Sequence, residues 1–180
     1  MDAAALIERL ARHPLLEGFT PAELAVVAEN GHLLSVSPPA ILLKQGEAAE
    51  ELCLLLTGRV AVVMRGARGF DHEIARVEAG GTLGELGLLG GGERGATVRP
   101  LEAVDCFVLP ADSIQEMLDA REVAAIKLFE RLARTVATRL STMNERLCEL
   151  TDDKEHPDGT VRLKLSDIRE RLLRAGGSGM

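Results

Sequence analysis

Two charged residues nine positions apart carry most of the chemistry legible in this chain. Glu85 stands in Leu83-Gly84-Glu85-Leu86-Gly87-Leu88-Leu89, and Arg94 in Glu93-Arg94-Gly95-Ala96-Thr97-Val98. A guanidinium can hold a phosphate through two parallel donors, and a carboxylate accepts hydrogen bonds from sugar hydroxyls. Glycines beside the carboxylate let backbone amides approach an anion. Gly95, Ala96 and Thr97 are small, so a ligand can lie against the backbone after the arginine. The set reads as a pocket for a small phosphate-sugar ligand. A P-loop reading of the glycines fails, because no Gly-Lys-(Ser/Thr) follows. No nucleophile, base and oxyanion set is visible, so the chain reads as a binding module and not an enzyme.

The elements around this segment must hold it in place. From 32 to 110, short apolar runs alternate with glycine and proline: Ile41–Leu43, Leu52–Leu56, Val60–Met64, Ile74–Val77 and Val104–Leu109. That rhythm predicts a small antiparallel barrel or jelly roll, within an α+β chain that is mainly β. Upstream, residues 2–12 have helical spacing, with Ala3, Leu6, Ile7 and Leu10 on one face, and His13-Pro14 ends that helix. Thr20-Pro21-Ala22-Glu23 is a capping box with proline in the first turn, opening a second helix that Gly31 is expected to cap. From 112 to 150 there is neither glycine nor proline. Phe129, Ala133, Val136, Leu140, Met143, Leu147 and Leu150 alternate steps of four and three, a heptad seam that predicts a homodimer. The expected boundaries are N-terminal helices at 1–31, the roll at 32–110, one long helix at 111–150, and a polar linker with a basic amphipathic tail at 151–180.

Composition narrows the functional classes. The 180 residues are 46% hydrophobic but only 2% aromatic, with no Trp or Tyr, so base stacking on aromatic platforms is not the main mode of binding. A net charge of −7 and a pI near 5.2 give no global pull toward nucleic acid or anionic membranes. Cys53, Cys106 and Cys148 are widely spaced and read as reduced thiols of a cytoplasmic protein. The four histidines show no metal-ligand spacing, so no metal is expected. No signal peptide or membrane-spanning run is present in the sequence, and no membrane association is expected.

The segment Gly84-Glu85-Leu86-Gly87-Leu88, a loop, then Arg94-Gly95-Ala96-Thr97 resembles the phosphate-binding cassette of the cyclic nucleotide-binding domain family, of the catabolite activator and kinase regulatory subunit type. The cassette would lie at about 81–98. The resemblance covers about 13 to 150 and extends to turn glycines Gly46 and Gly58. It implies that Arg94 pairs with the exocyclic phosphate oxygens and Glu85 with the ribose 2′-hydroxyl. Backbone amides at Gly84, Leu86 and Gly87 would face phosphate and sugar, with Ala96 and Thr97 beside them. Asn144, on the long helix and off the seam, is the candidate to meet the base. Gly90-Gly91-Gly92 departs from the family by making the loop floppy, and Glu93 stands where proline often precedes the arginine. The implied ligand is a cyclic mononucleotide, cyclic AMP in preference to cyclic GMP, because Gly95 lacks a hydroxyl for the guanine amino group. The implied role is a sensor that relays binding through its C-terminal helix to a protein effector. About 30 residues follow Leu150. That is short for a helix-turn-helix domain, so no specific DNA binding by this chain is expected. A truncated transcription factor or kinase-regulator fragment, and a degenerate dimerising module that binds no nucleotide, are the alternatives.

Overall fold

Strands β2 (Glu51–Thr57) and β7 (Val104–Pro110) are apolar on both faces, and the architecture follows from where those faces go. In the computed structural model, which describes residues 2–152, Leu52 and Leu54 of β2 join Phe107 and Leu109 of β7 in a core shared with the helices. Their alternating neighbours Cys53, Leu55, Cys106 and Val108 line a second core, inside the roll. Successive side chains of a strand point to opposite faces, so a strand buried on both sides reads as a continuous apolar run. That is what the sequence shows at Leu52–Leu56 and Val104–Leu109.

The roll consists of two antiparallel sheets. One has four strands, in the order β1 (His32–Val36), β7, β2 and β5 (Thr82–Leu83). The other has three: β4 (Asp71–Glu78), β3 (Arg59–Arg65) and β6 (Thr97–Pro100). β2 runs against β7 from Glu51↔Pro110 to Thr57↔Asp105, with a bulge between Leu55 and Thr57. Five α-helices and a short 3₁₀ turn (Pro14–Leu16) complete the described chain: α1 (Ala3–Ala11), α2 (Pro21–Glu29), α3 (Glu85–Gly90), α4 (Ala111–Asp119) and α5 (Val123–Asp152). The chain is mainly β with flanking helices and a long C-terminal helix, the class expected from the sequence.

The chain divides into two units, at Val136/Ala137. In the first, α1 and α2 pack on each other, and Leu10, Leu16, Leu24 and Val27 enter the helical core. Thr20 caps α2 as read: its hydroxyl accepts from the Glu23 amide at 3.3 Å, and Glu23 accepts from the Thr20 amide at 2.8 Å. The described part of the second unit, residues 137–152, is the later half of α5. The linker and tail beyond Asp152 lie outside the described residues, as does the side chain of Leu150.

Two local readings need correcting, those of the 111–150 helix and of Gly31, and α5 carries one stripe more than the seam. The helix expected without interruption over 111–150 is two helices, α4 and α5. Arg121 breaks the run with φ 59°, and its amide and that of Glu122 turn back to the Leu118 and Met117 carbonyls at 2.9 Å each. That is the left-handed helix terminus usually given to glycine, here adopted by arginine. Next, α5 carries two apolar stripes in its first half. Ala124, Ala125, Leu128 and Leu132 are buried in the helical core, while Val123, Ile126 and Phe129 of the other stripe are exposed. The seam residues Leu140, Met143 and Leu147 are also exposed. Finally, Gly31 is not the cap of α2. Asn30 holds that place, and Gly31 is glycine because a Cβ would stand 2.6 Å from the Val108 carbonyl oxygen and run into the Phe107 ring. Gly31→Ala should therefore destabilise the fold by about 1–3 kcal/mol. Gly90→Ala, where a Cβ meets nothing within 4 Å and φ is not positive, should change it by less than about 0.5 kcal/mol. Urea unfolding of the two variants checks both values.

Candidate functional site

The segment singled out in the sequence folds as strand, glycine corner, short helix, loop and strand. β5 pairs with β2 through Leu54↔Thr82 and Cys53↔Leu83, which delivers the chain to Gly84. Gly84 has φ 85° and ψ 0° and stands at the start of α3. An L-residue pays a steric penalty in that region. There is a second reason for glycine: a Cβ would come 2.7 Å from the Glu51 carbonyl oxygen and strike the Arg94 guanidinium. The Gly84 carbonyl accepts from the Leu88 amide at 3.1 Å and from Arg94 Nη1 at 3.4 Å. The corner of the cassette is thus also a rest for the arginine.

Glu85 and Arg94 are both buried, at 3% and 7% exposure, while the other described charged residues lie mostly at the surface. Burying a guanidinium is costly unless partners surround it. The backbone of Arg94 is fastened on both sides. Its amide donates to the Glu47 carbonyl at 2.7 Å, and its carbonyl accepts from the Gly46 amide at 2.9 Å. Two residues earlier the Gly92 carbonyl accepts from the Ala49 amide at 2.9 Å. The triglycine loop expected to be floppy is therefore stitched to residues 46–49. Gly91 and Gly92 take φ of 61° and 139°, which only glycine adopts readily.

The remaining expected residues fall in distinct places. Leu86 is 65% exposed on α3. Gly87 faces Ala49 so closely that a Cβ would collide with the alanine methyl, so its smallness serves packing as well as amide exposure. Gly95 is exposed, and a Cβ there would meet nothing within 4 Å. Ala96 is half-buried. Thr97 opens β6, and its hydroxyl accepts from the Gln45 amide at 3.1 Å. Asn144 is exposed and belongs to the second unit.

Sequence reading missed the opposite wall, Gln45–Ala49. It took Gln45-Gly46-Glu47 as a turn and nothing more. Gln45 in fact ties three elements, since its amide meets Thr97 and its side-chain oxygen accepts from the Arg65 amide at 2.8 Å. The two small residues Ala48-Ala49 were the available signal, because close approach of two backbones demands small side chains. Beneath the site lies Cys53. Burial pushes its thiol up to about 12, with Cys106 and Glu51 adding to the rise and Arg94 opposing it. Cys106 is pushed up to about 11, again chiefly by burial. Both stay protonated and unreactive at neutral pH. Among the described residues, no cluster of three or more His, Cys, Asp or Glu is placed to hold a metal, and no helix is long and apolar enough to cross a membrane.

Comparison with known proteins places this geometry. The family model of the cyclic nucleotide-binding domain matches residues 33–121. A crystal structure of a cyclic nucleotide-binding domain from Methylobacillus flagellatus KT superimposes with a TM-score of 0.71 at 23% identity, covering 82% of this chain and 83% of that one. The cAMP-activated global transcriptional regulator CRP of Salmonella typhimurium is 26% identical over 151 residues, 75% of this chain and 71% of its own length. Glutaminase 1 of Bradyrhizobium diazoefficiens is 30% identical over 143 residues, 79% of this chain but 22% of that enzyme. Residues 33–121, the stretch that holds the roll, the Gly84 corner and the buried Arg94, belong to the cyclic nucleotide-binding domain family.

Proposed function

We propose that this protein is a sensor that binds a cyclic mononucleotide, preferentially cyclic AMP, and relays binding through its C-terminal helix to a protein partner. The observation that carries the reading is the seating of Arg94. Arg94, a residue 7% exposed and held over the Gly84 corner nine residues from a buried Glu85, supports an anion site over a solvated loop charge. Arg94 would hold the exocyclic phosphate oxygens, as the fork geometry of a guanidinium suits a phosphate. Glu85 would accept from the ribose 2′-hydroxyl. The amides of Leu86 and Gly87 would face the sugar-phosphate. Ala96 and Thr97 would line the other side, where the Thr97 hydroxyl already accepts from Gln45 and has its own proton to donate. Asn144 is the proposed polar partner of the base.

The same seating favours this reading over a degenerate module that binds nothing, since an unused buried charge would be a standing cost to the fold. Regulation, and not catalysis, is the role we assign to the chain. The relay follows from linkage. A ligand that binds one arrangement of α4 and α5 better than another shifts the populations by that difference. The exposed seam Leu140, Met143 and Leu147 is the surface proposed to pair with a second copy.

Titration calorimetry with cyclic AMP and cyclic GMP tests the site. Arg94→Ala should weaken binding by roughly 30- to 1000-fold, equivalent to about 2–4 kcal/mol, while circular dichroism stays unchanged. An unaltered affinity places the site elsewhere. Cyclic AMP should bind at least about fivefold tighter than cyclic GMP, the worth of one missing hydrogen bond. Gly95→Thr, which the open space at Gly95 admits, should narrow that gap. Light scattering should report a dimer that Leu140→Glu dissociates, because the substitution buries an unpaired charge in the seam. A wild-type monomer at micromolar concentration removes the dimer from the proposal.

A further inference from the structure

His13 is one of the few buried polar residues of the chain, at 3% exposure. Both of its ring nitrogens are committed to backbone. Nδ1 accepts from the Leu15 amide at 3.2 Å, which caps the short turn Pro14–Leu16 between α1 and α2. Nδ1 therefore carries no proton, and Nε2 does. Nε2 lies 3.2 Å from the Gly81 carbonyl oxygen and donates to it. The same carbonyl accepts from the Leu55 amide at 2.9 Å, and the Gly80 amide donates to the Leu55 carbonyl at 2.7 Å. Pro14 also presses on Gly80, where a Cβ would stand 3.2 Å from its Cδ. One side chain thus fastens the N-terminal turn to the residues that lead directly into β5, Gly84 and Glu85.

This arrangement accepts only the neutral ring. A second proton would go to Nδ1, which would then face the Leu15 N–H donor to donor. Burial acts the same way and holds the imidazole below its usual range, while the Gly81 hydrogen bond opposes that effect. Among the described residues His13 makes no ion pair that would stabilise a charged ring. The charged residues on the segments around it are Glu8, Arg9, Arg12 and Glu17 near its own turn, Glu78 before Gly80, and Glu51 and Asp105 on β2 and β7. Arg12 pairs with Glu8, and Arg9 pairs with Asp105.

We propose that His13 is a proton-sensitive latch between the N-terminal helices and the strand that carries the nucleotide cassette, so that acidification loosens β5 and weakens nucleotide binding. The second half of this statement rests on the function proposed above; the latch itself does not. The sign follows from linkage. A histidine whose folded value is depressed contributes its stabilisation fully above the unfolded value near 6.5, and loses it as pH falls through the folded value. The latch is closed at pH 7.5 and opens in mildly acidic solution.

Two substitutions separate the nitrogens. His13→Asn keeps an acceptor near Nδ1 for Leu15, and His13→Gln keeps a donor near Nε2 for Gly81; neither titrates. Hydrogen exchange on the ligand-free protein reads the latch. Between pH 7.5 and 5.5, protection at Leu15, Leu55 and Gly80 should fall together by about fivefold or more in the wild type, and remain unchanged in His13→Asn. Loss at Leu15 without change at Leu55 and Gly80 overturns the latch, as does equal loss in His13→Asn. Calorimetry with cyclic AMP at the same two pH values reads the coupling. A wild-type affinity about fivefold weaker at pH 5.5, with His13→Asn and His13→Gln both flat, supports it. Equal affinity at both pH values overturns the coupling. Absence of binding at either pH, with the exchange pattern intact, sinks the cyclic nucleotide reading and leaves the latch standing.

Discussion

A guanidinium cannot be taken out of water cheaply, and the candidate site is organised around doing so once, at Arg94. The arginine's amide and carbonyl are spent on Glu47 and Gly46, so the side chain has a fixed origin from which to reach inward. Gly84 must lack a Cβ to let the guanidinium past. Gly87 must be small to let residues 46–49 come close enough to make those backbone bonds. Gly91 and Gly92 must bend the loop so that Gly92 can reach Ala49. The glycine content of the segment is therefore a set of separate steric answers to one electrostatic demand, and not general flexibility.

Much of this was legible in the sequence because the demands are local. A capping box at Thr20 and Glu23, or an apolar run such as Leu52–Leu56, depends on neighbours within a few positions. The Glu85 and Arg94 pair is readable for the same reason, since one short helix and one loop separate them. What the sequence hid is non-local. Gly31 looked like a helix cap, but it answers to Phe107 and Val108, strands away. The wall at Gln45–Ala49 is recruited by pairing with Gly92–Arg94 across the roll. Arg121 adopts a backbone geometry that residue type alone disfavours, so nothing local marks the break between α4 and α5. His13 showed no ligand spacing because its partners are backbone groups, which have no signature in a sequence.

α5 illustrates how one periodicity can mask another. A heptad pattern from Phe129 onward includes Val136, Leu140 and Leu147. Yet Leu128 and Leu132, one position before two members of that seam, are the residues sealed in the core. The early helix is thus held by one face while offering the other. A segment anchored in this way can transmit a displacement of the core to whatever occupies its outer face.

The strand order has a consequence for how the protein is made. β7 lies between β1 and β2, yet it is synthesised after every other strand. Until it leaves the ribosome, β1 has no partner, β2 lacks one of its two, and Phe107 and Leu109 are missing from the floor of the helical core. The cassette, although complete as chain by Val98, has no finished sheet to stand on. Non-local pairing of this kind must bear its loop-closure entropy before any contact rewards it. A nascent chain stalled before β7 would therefore expose the apolar faces of β2, so translation must pass β7 before either core can close.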